Sequence, residues 1–306
     1  MKTAIGIDLG GTHVRVGVAD TAGTLLASRR DRTHRDGRGD QLLDWLAKSI
    51  EELMADRHVT GNRPDCIGWA LPGVLEADRS RVVRAMNLRF LEGRAIRDEL
   101  SRRCGLPVML ESDAAAAAWG EFVAAAEPET RFVYLAIGTG VGATVILDGQ
   151  IVRHTRNTAG QLGHLIVDAS PEAAECRCGA RGCLEALVSG PALERAAAKH
   201  HLPESLNELE VACCEGHAEA IRIIDSGARY LGAALVSIAH IYAPDRLVLG
   251  GGVLRAVPSL RARAKEACSE VSGDLVPTAL EIRDELLGDQ AGMIGAAGLA
   301  RRGFGL

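Results

Sequence analysis

The sequence predicts an α/β protein built from two similar halves. A strand, a glycine turn, a second strand, a turn and a third strand follow one another twice, beginning near residues 3 and 131. Helical patterns follow each copy, and such segments pack as α/β layers around their own cores. The length of 306 residues fits two domains of about 150 residues each. We therefore expect two α/β halves whose glycine turns face a common cleft.

The composition is that of an ordinary globular protein and excludes several classes. Hydrophobic residues make up 47% and charged residues 25% of the chain, which excludes disordered, collagen-like and coiled-coil proteins. A net charge of −5 and an aromatic content of 3% argue against nucleic-acid binding. No apolar run reaches the ~18 residues of a membrane span, and the N-terminus lacks a signal-peptide layout. We expect a cytoplasmic protein without nucleic-acid or membrane partners.

The first copy of the repeat opens the chain. Residues 3–9 are apolar and predict a strand, and after Gly10 and Gly11 the alternation over residues 13–18 predicts a second one. A turn at 21–23 precedes a third strand at 24–28. The other elements expected in this half are a helix at 41–55, a strand at 66–71, a helix at 94–104, a strand at 107–110 and an alanine-rich helix from 113 to about 126.

The second copy begins at residue 131, where a strand leads into the glycine loop Gly138–Gly142. Asp148–Gly149 predicts a hairpin turn. No low-complexity linker separates the halves, and we place the boundary just after Asp113. The elements expected here are strands at 131–137, 143–147 and 150–153, a long helix at 218–242, a strand at 246–249 and a final helix at 289–302.

Three glycine-rich turns follow predicted strands and are candidates for binding phosphate or nucleotide. Backbone N–H groups cradle phosphate oxygens, and a threonine hydroxyl accompanies them in Gly10–Gly11–Thr12 and Gly138–Thr139–Gly140. Asp8 precedes the first turn, where its carboxylate would repel a pyrophosphate unless Mg²⁺ lay between them. A tight hairpin with an exposed aspartate is the alternative for this turn alone. Gly250–Gly251 would offer a flat surface to a nucleoside.

The strongest motif is a group of potential zinc ligands. His164 lies twelve residues before Cys176, and Cys178 and Cys183 follow at short spacing. One imidazole and three thiolates complete a tetrahedral Zn²⁺ site with no open position, so the zinc would be structural. The alternative is a loop of free cysteines. Disulfides are not expected in a cytosolic chain, and the other five cysteines lack such spacing.

Asp113 stands at the predicted junction between a strand and a helix. An aspartate there suits the N-cap position, and the helix dipole keeps its carboxylate ionised. A carboxylate that faces a cleft from the end of a strand is also placed to orient or deprotonate a hydroxyl group. Phosphoryl transfer requires positioning and charge neutralisation more than a strong base, so the two roles are compatible.

Together these residues resemble the ROK family of sugar kinases and repressors over nearly the whole chain. The zinc motif with the following Glu185 is the most specific part of the resemblance. The matching segments are Gly6–Thr12, Pro72–Gly73, Asn87–Leu88, Ser112–Ala114, Gly138–Gly142, Gly160–His164, Cys176–Glu185 and Pro244–Gly252.

The resemblance implies the duplicated fold of the actin-like, RNase-H-type ATPases, with two domains around a central cleft. It also implies Mg·ATP-dependent phosphorylation of a hexose, typically at the 6-hydroxyl, with glucose as the first expectation. Residues 1–113 would form the smaller domain, joined by the C-terminal helix at 289–306, and residues 114–288 the larger domain with the zinc site. A homodimer is expected on the same ground.

The resemblance further implies a role for each matching residue. Asp113 would be the catalytic base, and Asp8 would act toward Mg²⁺. The phosphates and the nucleoside would be held by Gly10, Gly11, Thr12, Gly138, Thr139, Gly140, Gly250 and Gly251. The sugar would be contacted by Gly73, Asn87, Ser112, Asp113, Gln161, His164 and Glu185, and zinc by His164, Cys176, Cys178 and Cys183.

The chain departs from the family pattern at several of these positions. Ser112 replaces the usual asparagine, Gln161 the usual glutamate, and His13 a common lysine, while Ala143–Thr144 replace glycines. A neutral hydrogen bond in place of a charge-assisted one at Gln161 costs ~1 kcal/mol in sugar binding. We expect retained chemistry with an altered sugar preference or affinity.

Other functions are weighed against this one. A sugar-responsive repressor of the same family would carry a helix-turn-helix ahead of Gly6, where five residues leave no room. A catalytically weak sugar-binding protein is the second alternative, against which the presence of both Asp8 and Asp113 argues. A dehydrogenase is discarded because the dinucleotide fingerprint is missing. The sequence does not determine the hexose, the choice of ATP or another phosphoryl donor, or the oligomeric state.

Overall fold

The computed structural model describes residues 2–33, 38–59, 61–85, 88–125, 131–153, 161–203, 205–274 and 280–306. The strands in these ranges are β1 (Thr3–Leu9), β2 (His13–Asp20), β3 (Leu25–Arg32), β4 (Ile67–Leu71), β5 (Val74–Leu75), β6 (Val82–Arg84), β7 (Val108–Ser112), β8 (Arg131–Ile137), β9 (Val141–Leu147), β10 (Gln150–Ile151), β11 (Arg246–Gly250) and β12 (Glu281–Asp284). The α-helices are α1 (Asp40–Met54), α2 (Ile96–Cys104), α3 (Asp113–Ala124), α4 (Leu184–Val188), α5 (Gly190–Lys199), α6 (Leu206–Cys214), α7 (Ala218–Tyr242), α8 (Gly252–Ala256), α9 (Pro258–Val271) and α10 (Ala291–Gly303). Short 3₁₀ helices lie at Arg89–Leu91, Leu162–His164 and Gly288–Gln290.

The chain forms two compact units, each with a five-stranded sheet of the same topology. The first unit comprises Met1–Glu127, Arg153–Ala159 and Leu286–Leu306, and the second comprises Pro128–Val152 and Gly160–Glu285. The strand orders are β3-β2-β1-β4-β7 and β10-β9-β8-β11-β12. In both sheets the first three strands pair antiparallel and the last two are added in parallel. This repeated order confirms the predicted α/β fold class with two similar halves.

The sheet of the first unit has a face of large apolar side chains and a face of small residues. Ile5 and Ile7 of β1 lie in a buried cluster with Leu46 of α1, whose leucines recur at helical spacing and cover this face. Ala4 and Gly6 point to the opposite face because side chains alternate along a strand. The sequence of β1 therefore determines which helix packs on which side.

The helix α10 covers the small-residue face. A Cβ atom at Gly6 would lie 1.8 Å from the carbonyl oxygen of Met293, and one at Gly68 would lie 1.9 Å from that of Ala296. At Gly295, a Cβ atom would lie 1.7 Å from the carbonyl oxygen of Ala116 in α3. The backbone of α10 thus approaches β1, β4 and α3 to distances that only glycine permits.

The helix α3 belongs to the first unit, although we expected the division just after Asp113. Its buried Glu121 accepts hydrogen bonds from the backbone N–H groups of Leu286 and Leu287, at 2.7 and 2.8 Å. Gly120 also lies close to Ala291 at the start of α10. These contacts hold α3 and the last segment of the chain together, so the division falls after α3.

The second unit is built around the 25-residue helix α7. Leu231 and Leu235 of α7 share a buried cluster with Leu135 of β8 and Leu249 of β11. On the other side, a Cβ atom at Gly232 would lie 2.8 Å from the backbone nitrogen of Cys268 in α9, so the two helices pack closely. Among the described helices, α7 included, none is long and apolar enough to cross a membrane.

Candidate active site

The first glycine turn connects β1 and β2, and the segment after β3 holds it in place. The N–H of Gly10 donates to the carbonyl oxygen of His13 at 2.8 Å. Thr33 donates from its backbone to the carbonyl of Thr12 at 2.9 Å and from its hydroxyl to the carbonyl of Gly10 at 2.7 Å. Thr33 binds two carbonyl oxygens of the glycine turn, so contacts within the first unit fix the conformation of this turn.

Asp8, at the end of β1, carries a carboxyl group in a site that opposes its charge. Its side chain is 18% exposed and lies 3.2 Å from Nη1 of Arg15, whose Nη2 also binds Asp289 at 2.7 Å. Burial raises the pKa of Asp8 to about 6, while Arg15 acts in the lowering direction and the nearby Asp113 in the raising direction. A divalent cation would relieve this cost, so Asp8 fits the proposed position toward Mg²⁺.

Asp113 is the first residue of α3, and our expectation that it forms the N-cap was wrong. Ser112 is the N-cap, because its extended backbone (φ −69°, ψ 145°) brings its Oγ to 3.2 Å from the N–H of Ala115. Asp113 Oδ1 instead accepts the N–H of Ala114 at 2.8 Å. Solvent reaches the carboxyl group, yet the surrounding protein raises the pKa of Asp113 and the Ala114 N–H lowers it.

The topology explains why the charges of Asp8 and Asp113 interact. The strands β1, β4 and β7 are parallel, with Asp8 paired to Ala70 and Leu71 paired to Ser112. Their carboxyl ends therefore lie at one edge of the sheet, which is where ligands bind in open α/β sheets. The first unit thus presents two carboxyl groups together at this edge.

The second glycine turn connects β8 and β9 and is contacted by Glu185. The register pairs Ile137 with Val141, which leaves Gly138, Thr139 and Gly140 as the turn. Glu185 of α4 accepts the N–H of Val141 at 2.9 Å, and a Cβ atom at Gly140 would lie 2.6 Å from the same oxygen. The carboxylate that we assigned to sugar binding therefore also supports this turn.

The predicted zinc ligands lie together in the second unit. The ligand atoms of His164, Cys176, Cys178 and Cys183 all lie within 4.8 Å of one another. Nδ1 of His164 is 3.6 Å from Sγ of Cys176, and the Sγ atoms of Cys178 and Cys183 are 3.7 Å apart. Tetrahedral zinc with bonds of about 2.0–2.3 Å requires N–S and S–S separations of about 3.6 and 3.8 Å. The donor set and these two spacings fit Zn²⁺.

The electrostatics of the same cluster also favour a cation. Burial, with the neighbouring thiols of Cys178 and Cys176, raises the pKa of Cys183 to about 12. Thiolates this close together are unfavourable unless a metal ion neutralises them. The cluster is linked to the second glycine turn, because Thr139, Cys176 and Glu185 line one cavity of about 190 Å³.

The third glycine turn is occupied by side chains of the second unit. A Cβ atom at Gly250 would lie 2.2 Å from a carboxylate oxygen of Glu285 and 2.6 Å from the hydroxyl of Tyr134. The N–H of Gly251 donates to Glu285 at 3.1 Å, and Arg255 also binds this carboxylate. The glycines here make room for Glu285, which the sequence analysis did not single out.

The remaining predicted sugar contacts lie at separate places in the chain. Gly73 has a φ of 120°, and a Cβ atom there would lie 2.3 Å from the carbonyl oxygen of Arg84, so it is required by the hairpin of β5 and β6. Gln161 precedes the 3₁₀ helix that carries His164. Asn87 lies outside the described residues.

Glu111 is a buried acidic residue that no sequence motif indicated. Its side chain is 3% exposed and forms ion pairs with Arg79 and Arg153. It lies in β7, two positions before Asp113. Its arginine partners are 32 and 42 residues away along the chain, so no local pattern in the sequence indicates them.

Comparisons with known proteins find similar sequences and similar folds over most or nearly all of the chain. The sequence model of the ROK family matches residues 4–303. The crystal structure of a ROK hexokinase from Thermus thermophilus is 34% identical, with a TM-score of 0.84 and 99% of both chains covered. A ROK family glucokinase from Streptomyces griseus, solved in complex with glucose and AMPPNP, is 27% identical with a TM-score of 0.80, covering 98% of this chain and 99% of that one. An N-acetylmannosamine kinase from Yersinia pestis is 30% identical over 84% of this chain and 85% of its own length.

Proposed function

Because this chain belongs to the ROK family, we propose that it is a sugar kinase that transfers the γ-phosphoryl group of ATP to a hexose hydroxyl, first of all the 6-hydroxyl of glucose. The observation that carries the proposal is the placement of Asp8 and Asp113 together at the carboxyl edge of three parallel strands. One carboxylate near a cation and a second near the acceptor hydroxyl are what phosphoryl transfer requires.

Asp113 is the proposed catalytic base. It accepts the proton of the sugar hydroxyl, and its pKa, raised by the surrounding protein, favours this acceptance compared with an aspartate in water. The N–H of Ala114 keeps the carboxylate oriented at the start of α3. Mg²⁺, when bound with the nucleotide, neutralises charge on the transferred phosphoryl group, and Asp8 is the residue proposed to hold it.

The phosphate-binding residues are proposed on the same basis in each unit. The first unit supplies Gly10, Gly11 and Thr12, and the second supplies the turn from Gly138 to Gly140. ATP as the donor is supported by the AMPPNP bound to the glucokinase from Streptomyces griseus. The support for Gly250 and Gly251 is weaker, because Glu285 lies where a nucleoside would approach Gly250.

The sugar contacts are proposed residue by residue. Gly73, Asn87, Ser112, Gln161, His164 and Glu185 would contact the sugar, as the resemblance implies. Zn²⁺ held by His164, Cys176, Cys178 and Cys183 would be structural, since four protein ligands leave no open position. The zinc ion would fix the loop that ends at Cys183, two residues before Glu185. On resemblance alone, we propose that the protein acts as a cytoplasmic homodimer.

An N-acetylhexosamine kinase is the second candidate. The relative from Yersinia pestis that carries this activity in its name is as similar to this chain as the glucokinase is. Ser112 and Gln161, which differ from the family pattern, are proposed sugar contacts, so the acceptor need not be glucose.

The test is ADP release from the zinc-loaded protein with Mg·ATP and a panel of hexoses and N-acetylhexosamines. Asp113→Asn removes the base, and we expect kcat to fall by about 10²–10⁴-fold with folding retained. Asp274→Asn, at an exposed aspartate of the second unit, is the matched control and should retain wild-type turnover. Absence of turnover with every sugar by folded, zinc-loaded wild-type protein would refute the proposal.

A further inference from the structure

The ion pairs of Glu111 connect three parts of the first unit. Arg153 binds the carboxylate with both Nη atoms, at 3.0 and 2.5 Å, and Nη1 of Arg79 binds it at 3.0 Å. The N–H of Ser112 also lies 3.0 Å from Oε1 of Glu111. A buried carboxylate is stable only when charged partners satisfy it, and here two guanidinium groups do so.

Arg79 holds the hairpin of β5 and β6. It lies between these strands in the left-handed region (φ 55°), which an arginine seldom adopts. Such a conformation costs about 1–3 kcal/mol and persists only where other contacts stabilise it. The ion pair with Glu111 is such a contact. The same hairpin begins at Gly73, a proposed sugar contact.

Arg153 holds a different segment. It follows β10 and begins the stretch Arg153–Ala159, which belongs to the first unit. The bidentate pair with Glu111 therefore holds Arg153 against β7.

We propose that Glu111 is a positioning residue for the sugar site: its buried carboxylate binds Arg79 and Arg153 and so fixes the hairpin of β5 and β6, which begins beside Gly73, relative to Asp113. The inference rests on the proposed function. It assigns Glu111 no contact with the sugar or with the reacting atoms. Loss of its charge should weaken sugar binding and leave nucleotide binding nearly unchanged, since no residue of the glycine turns contacts Glu111 among the described hydrogen bonds and ion pairs.

The test compares two glutamates of the first unit that are both held by arginine. Glu111→Gln keeps the shape and removes the charge. Glu99→Gln does the same in α2, where Glu99 accepts a hydrogen bond of 2.6 Å from Nη2 of Arg94. Neither Glu99 nor Arg94 is a proposed sugar contact. We expect Glu111→Gln to raise the KM for the sugar about tenfold or more while the KM for ATP changes less than about twofold. Glu99→Gln should lower Tm and leave both KM values unchanged.

Two results would overturn the proposal. One is a Glu111→Gln protein whose Tm falls as in Glu99→Gln while the KM for the sugar stays at the wild-type value. The other is an equal rise of both KM values. If Glu111→Gln does not fold, Arg79→Lys and Arg153→Lys take its place, because each keeps the charge and loses the guanidinium geometry. Both should raise the KM for the sugar, and a wild-type KM in both variants would contradict the proposal.

Hydrogen exchange separates this inference from the proposed function. Glu111→Gln should speed amide exchange in residues 74–84 and leave α1 unchanged, whether or not any sugar is phosphorylated. Unchanged exchange in the hairpin would contradict the proposal for Glu111 even in an active kinase. An inactive wild-type protein with the expected exchange difference would refute only the proposed activity.

Discussion

Asp8 and Arg15 form an ion pair at the edge of the first sheet, and Asp289 contacts the same arginine. The ion pair does not fully offset the cost of burying the Asp8 carboxylate, because the pKa of Asp8 is still raised to about 6. Ionised Asp8 therefore destabilises the folded protein at neutral pH when no cation is bound. The residue that we propose to act toward Mg²⁺ is kept at a cost to stability.

The raised pKa of Asp8 predicts that the stability of the folded protein depends on pH. The folded pKa of Asp8 lies above its ordinary value of 3.8, so its protonation stabilises the folded state below pH 4, and this stabilisation is lost as the pH rises through about 6. Asp8→Asn removes the charge, and Asp289 remains as a partner for Arg15. We expect the variant to gain several degrees of Tm over wild type at pH 7.5 without Mg²⁺, and much less at pH 5. A difference in Tm that is constant across this range would contradict the assignment.

Ser112 and Gln161 predict a change in sugar specificity. Ser112→Asn preserves helix capping, because asparagine caps as well as serine, so α3 should remain intact. Gln161→Glu restores a charge-assisted hydrogen bond worth ~1 kcal/mol. In the double variant we expect kcat/KM to change by a few-fold to tenfold for at least one sugar of the panel. An unchanged kcat/KM for every sugar, at unchanged Tm, would show that these residues do not select the sugar.

Residues whose partners are close in sequence could be predicted, and residues with distant partners could not. The zinc ligands lie within twenty positions, so their spacing alone indicated the cluster. Glu111 could not be found, because its arginines come from other loops. The N-cap was misplaced by one residue because Ser112 and Asp113 both favour that position and only the backbone dihedrals distinguish them.

Several long elements were predicted closely, whereas the helices α5, α6 and α9 were not predicted. The helix α7 and the strands β1 and β8 have the predicted bounds. The hairpin of β5 and β6 and the helix α4 were not predicted, because two to five residues carry no period. The helix α10 was expected, and its sequence explains how closely it can pack, since six of its thirteen residues are alanine or glycine before Leu299.

The close packing of α10 makes its glycines sensitive to the smallest side chain. Gly295→Ala would place Cβ against the backbone of α3, which cannot move as a side chain does. We expect the free energy of unfolding to fall by about 3 kcal/mol, although alanine favours a helix by about 1 kcal/mol. Gly273→Ala, whose Cβ would meet no atom within 4 Å, is the control. Equal stability of the two variants in urea would contradict the close contact.

At the scale of the whole molecule, the zinc site and the paired aspartates belong to different units. Removal of zinc should therefore act first on the second unit. The loop from His164 to Cys183 then loses the metal that links its ligands. Glu185, which follows this loop, is then held less firmly against the N–H of Val141. The duplication into two similar α/β halves was predictable from the repeated glycine turns. The place of α3 was not, because it depends on packing against α10.

Chelation provides the measurement. After zinc is removed, hydrogen exchange should increase in residues 164–185 and around the turn at Gly140, while β1 and α1 keep their wild-type protection. Cys178→Ser should give the same pattern without a chelator. Uniform loss of protection in both units, or none in the loop, would contradict a structural zinc confined to the second unit.

The position of α10 in the chain also affects how the protein is made. The small-residue face of β1 and β4 is synthesised first, but its cover follows the whole of the second unit. At about 5–20 residues per second, the ribosome leaves this face uncovered for roughly 10–30 s while the second unit emerges. A chain that ends before α10 therefore has all the residues of the second unit but leaves one face of the first sheet uncovered.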